Sequence, residues 1–309
     1  MPAPAATVIV PYFMLHELFA IMAPILLATG LGFAWGKRGL DFPADFISRI
    51  VMNIGTPCLI VSAMAKVEVD AGVMGEVALA TAIIMAAMGL LGWLVLHLYG
   101  LNIGTYLPPL IFPNNGNMGL PLCLFAFGQA GLALALGSFM VMLVATFTVG
   151  LLLVGDPGSS LGQRLKSIAR QPVIYAMAIA VALLLSGTTL PRWLGNTVDL
   201  LGGIAIPLML LALGVSLSTL KIASWQRSLW FSVARVFGGL IVGYIVCLSM
   251  GLSGVSRSVV LLQAAMPVAV FNYLLALRYD RHPEEVAAMV LISTVIAFIG
   301  LPFLLLAIL

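Results

Sequence analysis

The sequence predicts an all-α polytopic membrane protein of about ten transmembrane helices. Three observations carry this expectation. Hydrophobic residues make up 62% of the 309 positions and charged residues 8%, with a mean hydropathy of +1.17; soluble domains carry roughly 25% charged residues, and so few ionised side chains could not cover a soluble surface. Apolar segments of about 20 residues, long enough to cross the hydrocarbon, recur along the whole chain. One of them, Leu107 to Leu122, is broken by four prolines, two glycines and three asparagines. Alternating barrel-type strands are absent, which excludes a β-barrel.

Taken in order, the spans fall near residues 13–35, 44–65, 75–98, 105–127, 131–154, 171–187, 196–219, 226–250, 256–278 and 284–308. Residues 1–36 contain no Lys or Arg, so the basic start of a cleavable signal is missing and the first apolar segment is expected to remain as a span. In the second span Asn53 and Thr56 stand beside Pro57; they could line a cavity or serve polar packing between helices. The fourth span cannot run as one helix, because proline removes a backbone donor and clashes with the preceding turn. Open backbone in hydrocarbon survives only where protein or a water-filled cavity satisfies it, and broken helices point to a transporter's binding site. Pro113 to Pro121 is therefore read as the site, against a plain proline kink or a polar loop. Three asparagines are more polar groups than a kink needs.

The longest polar linker, Gly155 to Arg170, divides the chain into a first five-helix unit (1–154) and a second (171–309), with 155–170 between them. Four proline pairs link the halves at offsets of 146 to 150: Pro24 with Pro172, Pro43 with Pro191, Pro57 with Pro207, Pro121 with Pro267. This argues for an internal duplication, and an odd number of spans per unit inverts the second copy in the membrane. The second copy of the break lies in span nine and is milder, with Gln263, Pro267 and Asn272. Inverted symmetry should bring the two interruptions together near the midplane. Helix amide ends there would favour an anion and carbonyl ends a cation, while asparagine offers both donor and acceptor.

Loops on one side hold Lys37, Arg38, Arg164, Lys166, Arg170, Lys221, Arg227, Arg278 and Arg281, and on the other Lys66, Arg192 and Arg257. The first side is expected in the cytoplasm, with both termini outward from a plasma (inner) membrane.

The segment Pro113-Asn114-Asn115-Gly-Asn117-Met118-Gly119-Leu-Pro121-Leu122, Pro267 with Ala276-Leu-Arg-Tyr279-Asp-Arg-His282-Pro283, Leu301-Pro302, and Ser48-Arg49 leading to Pro57 resemble the auxin efflux carrier family, which includes plant auxin carriers and bacterial malonate or malate permease-like members. The resemblance runs over both halves. It implies two inverted five-helix repeats with crossed, unwound helices four and nine, as in bile-acid/sodium symporters. It also implies a homodimer with a scaffold of helices one, two, six and seven and a moving transport domain of helices three to five and eight to ten. By resemblance Asn115, Asn117, Pro121 and Pro267 map onto the crossover substrate site. Asn272 stands where the plant carriers look to have a second proline, and their long hydrophilic loop is missing here.

Arg235 sits mid-span, where a charge is costly unless paired or hydrated; it faces either an anion in the cavity or backbone carbonyls. His16-Glu17 and Asp199 could relay protons or lie at the interface. Asp280, Glu284 and Glu285 read as a solvated turn and helix start. Gly32-xxx-Gly36 and Gly239-xxx-Gly243 are spacings that let helices approach closely. Cys58, Cys123 and Cys247 have no paired spacing and read as packing residues. Gly251-Leu-Ser-Gly254 resembles an intramembrane protease motif, but the only later histidine, His282, lies in a loop on the opposite side. Paired carboxylates, a phosphate loop, a metal cluster and a basic nucleic-acid patch are all absent from the sequence, so neither an enzyme nor a cofactor is expected.

The expectation is a secondary transporter of a small organic anion, a monocarboxylate or a dicarboxylate, working by alternating access. Asn114, Asn115, Asn117, Pro121, Gln263, Pro267 and Asn272 form its site, with Asn53, Thr56 and Arg235 as possible cavity lining. Coupling to Na⁺ or H⁺ stays open. The alternatives are a sodium-coupled symporter or cation antiporter of the same fold and, more remotely, a membrane enzyme or receptor.

Overall fold

A computed structural model describes residues 6–66, 70–154, 171–186, 188–220 and 225–309. The dividing linker 155–170, with Arg164, Lys166 and Arg170, and Lys221 lie outside the described residues. Every regular element described is helical, and the one β feature is an isolated bridge between Pro113 and Val268.

Among the described residues seven segments are long and apolar enough to cross a membrane: Leu18–Lys37, Phe46–Lys66, Ala71–Leu98, Asn115–Val154, Arg192–Thr219, Trp225–Met250 and Pro283–Ile308. The remaining apolar pieces are shorter, for physical reasons visible in the sequence. Helix α1 is Ala6–Lys37, α2 is Ala44–Ile50, and a π-turn at Val51–Gly55 leads into α3, Thr56–Lys66. Asp70 caps α4 (Ala71–Leu98), its Oδ1 accepting from the amides of Gly72 at 2.6 Å and Val73 at 3.3 Å. That bond satisfies donors which a helix start otherwise leaves orphaned.

Helix α5 (Ile103–Ile111) begins at Asn102, whose Oδ1 accepts from Thr105 at 3.0 Å. It holds Pro108 and Pro109 and stops just beyond them, as two missing amide donors require. A π-turn at Asn115–Gly119 then starts α6 (Leu120–Ala145), with Pro121 in its first turn, where a missing amide costs nothing. Gly128, at φ +64° and ψ −154°, breaks the apparent 40-residue segment Asn115–Val154 between the expected spans four and five. A third π-turn, Thr146–Gly150, leads to α7 (Leu151–Val154).

The second half runs through α8 (Pro172–Ser186), α9 (Arg192–Gly202), α10 (Ala205–Thr219) and α11 (Trp225–Val233). A fourth π-turn, Ala234–Gly238, opens into α12 (Gly239–Met250). The last three are α13 (Gly254–Ala264), α14 (Val270–Arg278) and α15 (Pro283–Ile308).

Helix α1 packs along α10 with almost no gap. A Cβ on Gly32 would lie 2.1 Å from the Leu211 carbonyl oxygen, and one on Gly214 would lie 2.0 Å from that of Thr29. Only glycine allows this approach, the small-residue contact that holds helices together where lipid supplies no hydrophobic drive. Helix α3 packs on α8 and α9, so closely that a Cβ on Gly202 would lie 2.8 Å from the Leu59 backbone nitrogen. Elsewhere α4 packs on α5, α6, α12 and α13, and α11 on α15. Hydroxyls stitch these contacts: Thr81 to Ser138 at 2.8 Å, and Ser232 Oγ donating to the Met289 carbonyl at 3.1 Å.

Polar ends gather at two places. Tyr106 donates to the Glu285 carboxylate, and Arg227 reaches both, the Tyr106 hydroxyl at 3.0 Å and Glu285 at 3.6 Å. Arg281 donates to the Val154 carbonyl at 3.2 Å. Glu285, expected as a solvated helix start, is thus a bound carboxylate, because the first turns of α5 and α11 lie beside it. Among residues of the opposite loops, Asp199 accepts from Ser62 and pairs with Lys66 at 2.7 Å.

Candidate functional site: the paired helix breaks

The two interruptions meet. Asn114 donates its amide to the Pro267 carbonyl at 2.7 Å, and Ala269 donates its own to the Phe112 carbonyl at 3.2 Å. Together they make a one-step antiparallel ladder about the Pro113–Val268 bridge. Each break thereby supplies partners for backbone groups the other has freed, which is the only way open chain persists inside lipid. Val268 has a further partner, the hydroxyl of Ser293 at 3.0 Å, and Asn272 Nδ2 donates to the Phe112 carbonyl at 2.9 Å.

Arg235 completes the set. Its Nη1 donates to Leu110 at 2.7 Å, its Nη2 to Ala264 at 2.6 Å and its Nε to Met266 at 3.3 Å, all backbone carbonyls, and the residue is 1% exposed. Of the two expectations for Arg235, the carbonyl pairing is the one seen. Gly239, one turn on, makes the room: a Cβ there would lie 2.2 Å from the Ala264 oxygen and 2.7 Å from Nη2.

With the carbonyls satisfied, side-chain atoms are left over. Asn114 Nδ2, Asn115 Oδ1, Gln263 Oε1 and Asn272 Oδ1 are buried without hydrogen-bond partners among the described residues. An unpaired buried polar group costs about 1–3 kcal/mol, so four around one crossover are an outlay that packing alone does not explain. Gln263 Nε2 has a weak partner, Cys123 Sγ at 3.8 Å. Among the described residues no group of three or more His, Cys, Asp or Glu side chains gathers as a metal site would need. Apart from Arg235, the polar side chains named here are neutral amides and hydroxyls.

A small cavity touches these groups. It is lined by Thr81, Met85, Pro113, Asn115, Arg235 and Gln263, among others, and its volume is about 10 Å³, room for about one water molecule. Asn117 is half-buried beside it in sequence, Pro121 and Pro267 are buried, and the Asn115–Gly119 turn abuts α10. Thr56 is buried with its hydroxyl unpaired, whereas Asn53 is exposed; neither lines this cavity.

The pattern of the family described as Membrane transport protein matches residues 159–305. A protein of Methanothermobacter thermautotrophicus, named an uncharacterized transporter, is 26% identical over 295 residues, covering 90% of this chain and 94% of its own. Another of that description, from Methanocaldococcus jannaschii, is 24% identical over 270 residues, covering 81% and 85%. These matches agree with the motif resemblance. The chain is thus similar to proteins described as membrane transporters.

Two parts of the crossover escaped sequence reasoning. Ser293 looked like an ordinary small residue in an apolar span. Thr81, on the cavity wall, carried no signal at all. The carbonyl pairing of Arg235 was one of the two expectations, and the Gly239-xxx-Gly243 spacing that follows it by one turn makes the room for it.

Proposed function

We propose that this transporter carries a small organic anion, a monocarboxylate or dicarboxylate, by alternating access with the paired breaks as its binding site. The observation that carries the reading is the set of unpartnered side-chain atoms, Asn114 Nδ2, Asn115 Oδ1, Gln263 Oε1 and Asn272 Oδ1, beside a break whose carbonyls are already taken. Asn114 offers its free Nδ2 as it stands, and the amides of Asn115 and Gln263, turned half a turn, exchange oxygen for NH₂ and can donate to a carboxylate as well, while Asn272 keeps its Nδ2 on Phe112. The segments beginning at Asn115 and Val270 also start at the breaks, and helix starts favour negative charge.

A specific observation favours a second reading, a sodium-coupled symporter or cation antiporter: three of the unpaired atoms are oxygens. Arg235 weighs against it. Its guanidinium lines the same cavity and already holds the carbonyls of Leu110, Ala264 and Met266, so those oxygens are not free to ligate a cation.

The cavity admits about one water molecule, so an organic anion enters only after a rearrangement. In the proposed mechanism helices three to five and eight to ten move as a transport domain against a scaffold of helices one, two, six and seven. The glycine contacts of α1 with α10 and the seating of α3 on α8 and α9 support a rigid scaffold. The inverted ten-helix plan and the homodimer come from the proline offsets and the family resemblance. The excess of Lys and Arg supports termini outside a plasma membrane.

Uptake of labelled malonate and indole-3-acetate into proteoliposomes tests the proposal. Asn115→Ala and Asn117→Ala should abolish a flux present in the wild type. Flux that survives both changes removes the site assignment, and a wild type that moves neither acid removes the anion reading.

A further inference from the structure

We infer that Arg235 sets the sign of charge this transporter accepts. Its guanidinium cancels the carbonyl ends of both interrupted helices and leaves the cavity under the amide end that starts at Asn115. The inference rests on the crossover being the substrate site. Helix α5 ends at Ile111 and α13 at Ala264, and each helix end carries roughly half an elementary charge of negative sign. Two such ends therefore amount to about one negative charge, which one guanidinium matches. The three donors of Arg235 land on Leu110, Ala264 and Met266, so the cancellation is direct, and among the described residues no carboxylate pairs with it. The same side chain lines the cavity with Asn115 and Gln263. Without it, those two carbonyl ends would face the cavity uncompensated and favour a cation. Arg235 is thus a positioning and selectivity residue, acting through the backbone and the field, with no bond to the substrate required.

The test is a thermal-shift titration of the purified full-length transporter with acetate, malonate and indole-3-acetate, and with methylammonium and tetramethylammonium as cations of comparable size. Wild type, Arg235→Lys and Arg235→Gln are compared. The wild type should be stabilised by a carboxylate and by neither amine. Arg235→Lys, which keeps the charge but loses the three-carbonyl fit, should unfold at lower temperature yet bind the carboxylate within about tenfold. Arg235→Gln should lose about 100-fold or more of that affinity, the size of one partly screened unit-charge interaction. A purely structural role would move stability and affinity together in Lys and Gln alike.

Carboxylate affinity unchanged in a folded Arg235→Gln overturns the inference and leaves the anion reading standing. If Arg235→Gln yields no folded protein, Arg235→Lys decides: retained carboxylate binding supports the charge role, and its loss in a folded protein overturns it. A wild type stabilised only by amines, or by none of the five probes, removes the anion reading and this inference together.

Discussion

Asn114 and Pro267 are joined by a backbone hydrogen bond of 2.7 Å, although they stand in opposite halves of the chain. Each lies in a segment that could not exist alone in lipid, since its freed amides and carbonyls would each cost several kcal/mol. Paired, they form one unit, so disturbing one break disturbs the other. This coupling makes the residues around it separable by experiment.

Asn115 and Asn272 should behave oppositely. The Asn272 side chain donates to Phe112, whereas Asn115 has an unpaired Oδ1 and its side chain makes no hydrogen bond among the described residues. Asn272→Ala should lower stability by about 1–3 kcal/mol. Asn115→Ala should leave the melting temperature unchanged or raise it while cutting carboxylate affinity tenfold or more. Thermal unfolding in detergent with ligand titration checks both, and a large destabilisation by Asn115→Ala would contradict the assignment.

Ser293→Ala removes the hydroxyl that accepts from Val268 at 3.0 Å. A buried amide left without a partner costs about 1–3 kcal/mol, so the melting temperature should fall although the substitution is small and apolar. Ser293→Thr retains the hydroxyl and should recover most of the loss.

Gly32→Ala and Gly214→Ala each drive a methyl group into backbone, at 2.1 Å and 2.0 Å. Neither carbonyl can swing aside, so α1 and α10 must separate. Overpacking of this kind costs about 1–3 kcal/mol. Gly30→Ala, on the same helix with open space around it, should be neutral. Equal melting temperatures for all three would show that the close approach is absent.

Lys66 pairs with Asp199 at 2.7 Å, but the side chains are 49% and 34% exposed. Such pairs contribute about 0–1 kcal/mol and weaken in salt. Lys66→Met should shift unfolding little at low salt and less at high salt. A large loss would mean that the pair is better shielded from water than its exposure indicates.

How much of this was legible beforehand differs from residue to residue. Pro108, Pro109 and Pro113 announce a break locally, because a missing amide hydrogen has its effect wherever the residue sits. Gln263 and Asn272 are legible in the same way, as polar groups that hydrocarbon would reject without a use. Glu285 was misjudged: three residues past His282 at a helix start, it reads as solvated, and only the arrival of Tyr106 and Arg227 from other helices makes it a bound group. Asn53 and Thr56, neighbours in sequence, part company in space, one exposed and one buried.

The sequence by itself determined the solvent, the helical class, the two points of interruption and the amides placed at them. All of these follow from composition and from backbone chemistry acting within a few residues. Only the tertiary structure decided which carbonyls Arg235 grips, which hydroxyl serves Val268, and that the cavity closes to about the size of one water molecule. Those outcomes are set by side chains brought together from distant helices, and no local pattern encodes how far apart two helices come to rest.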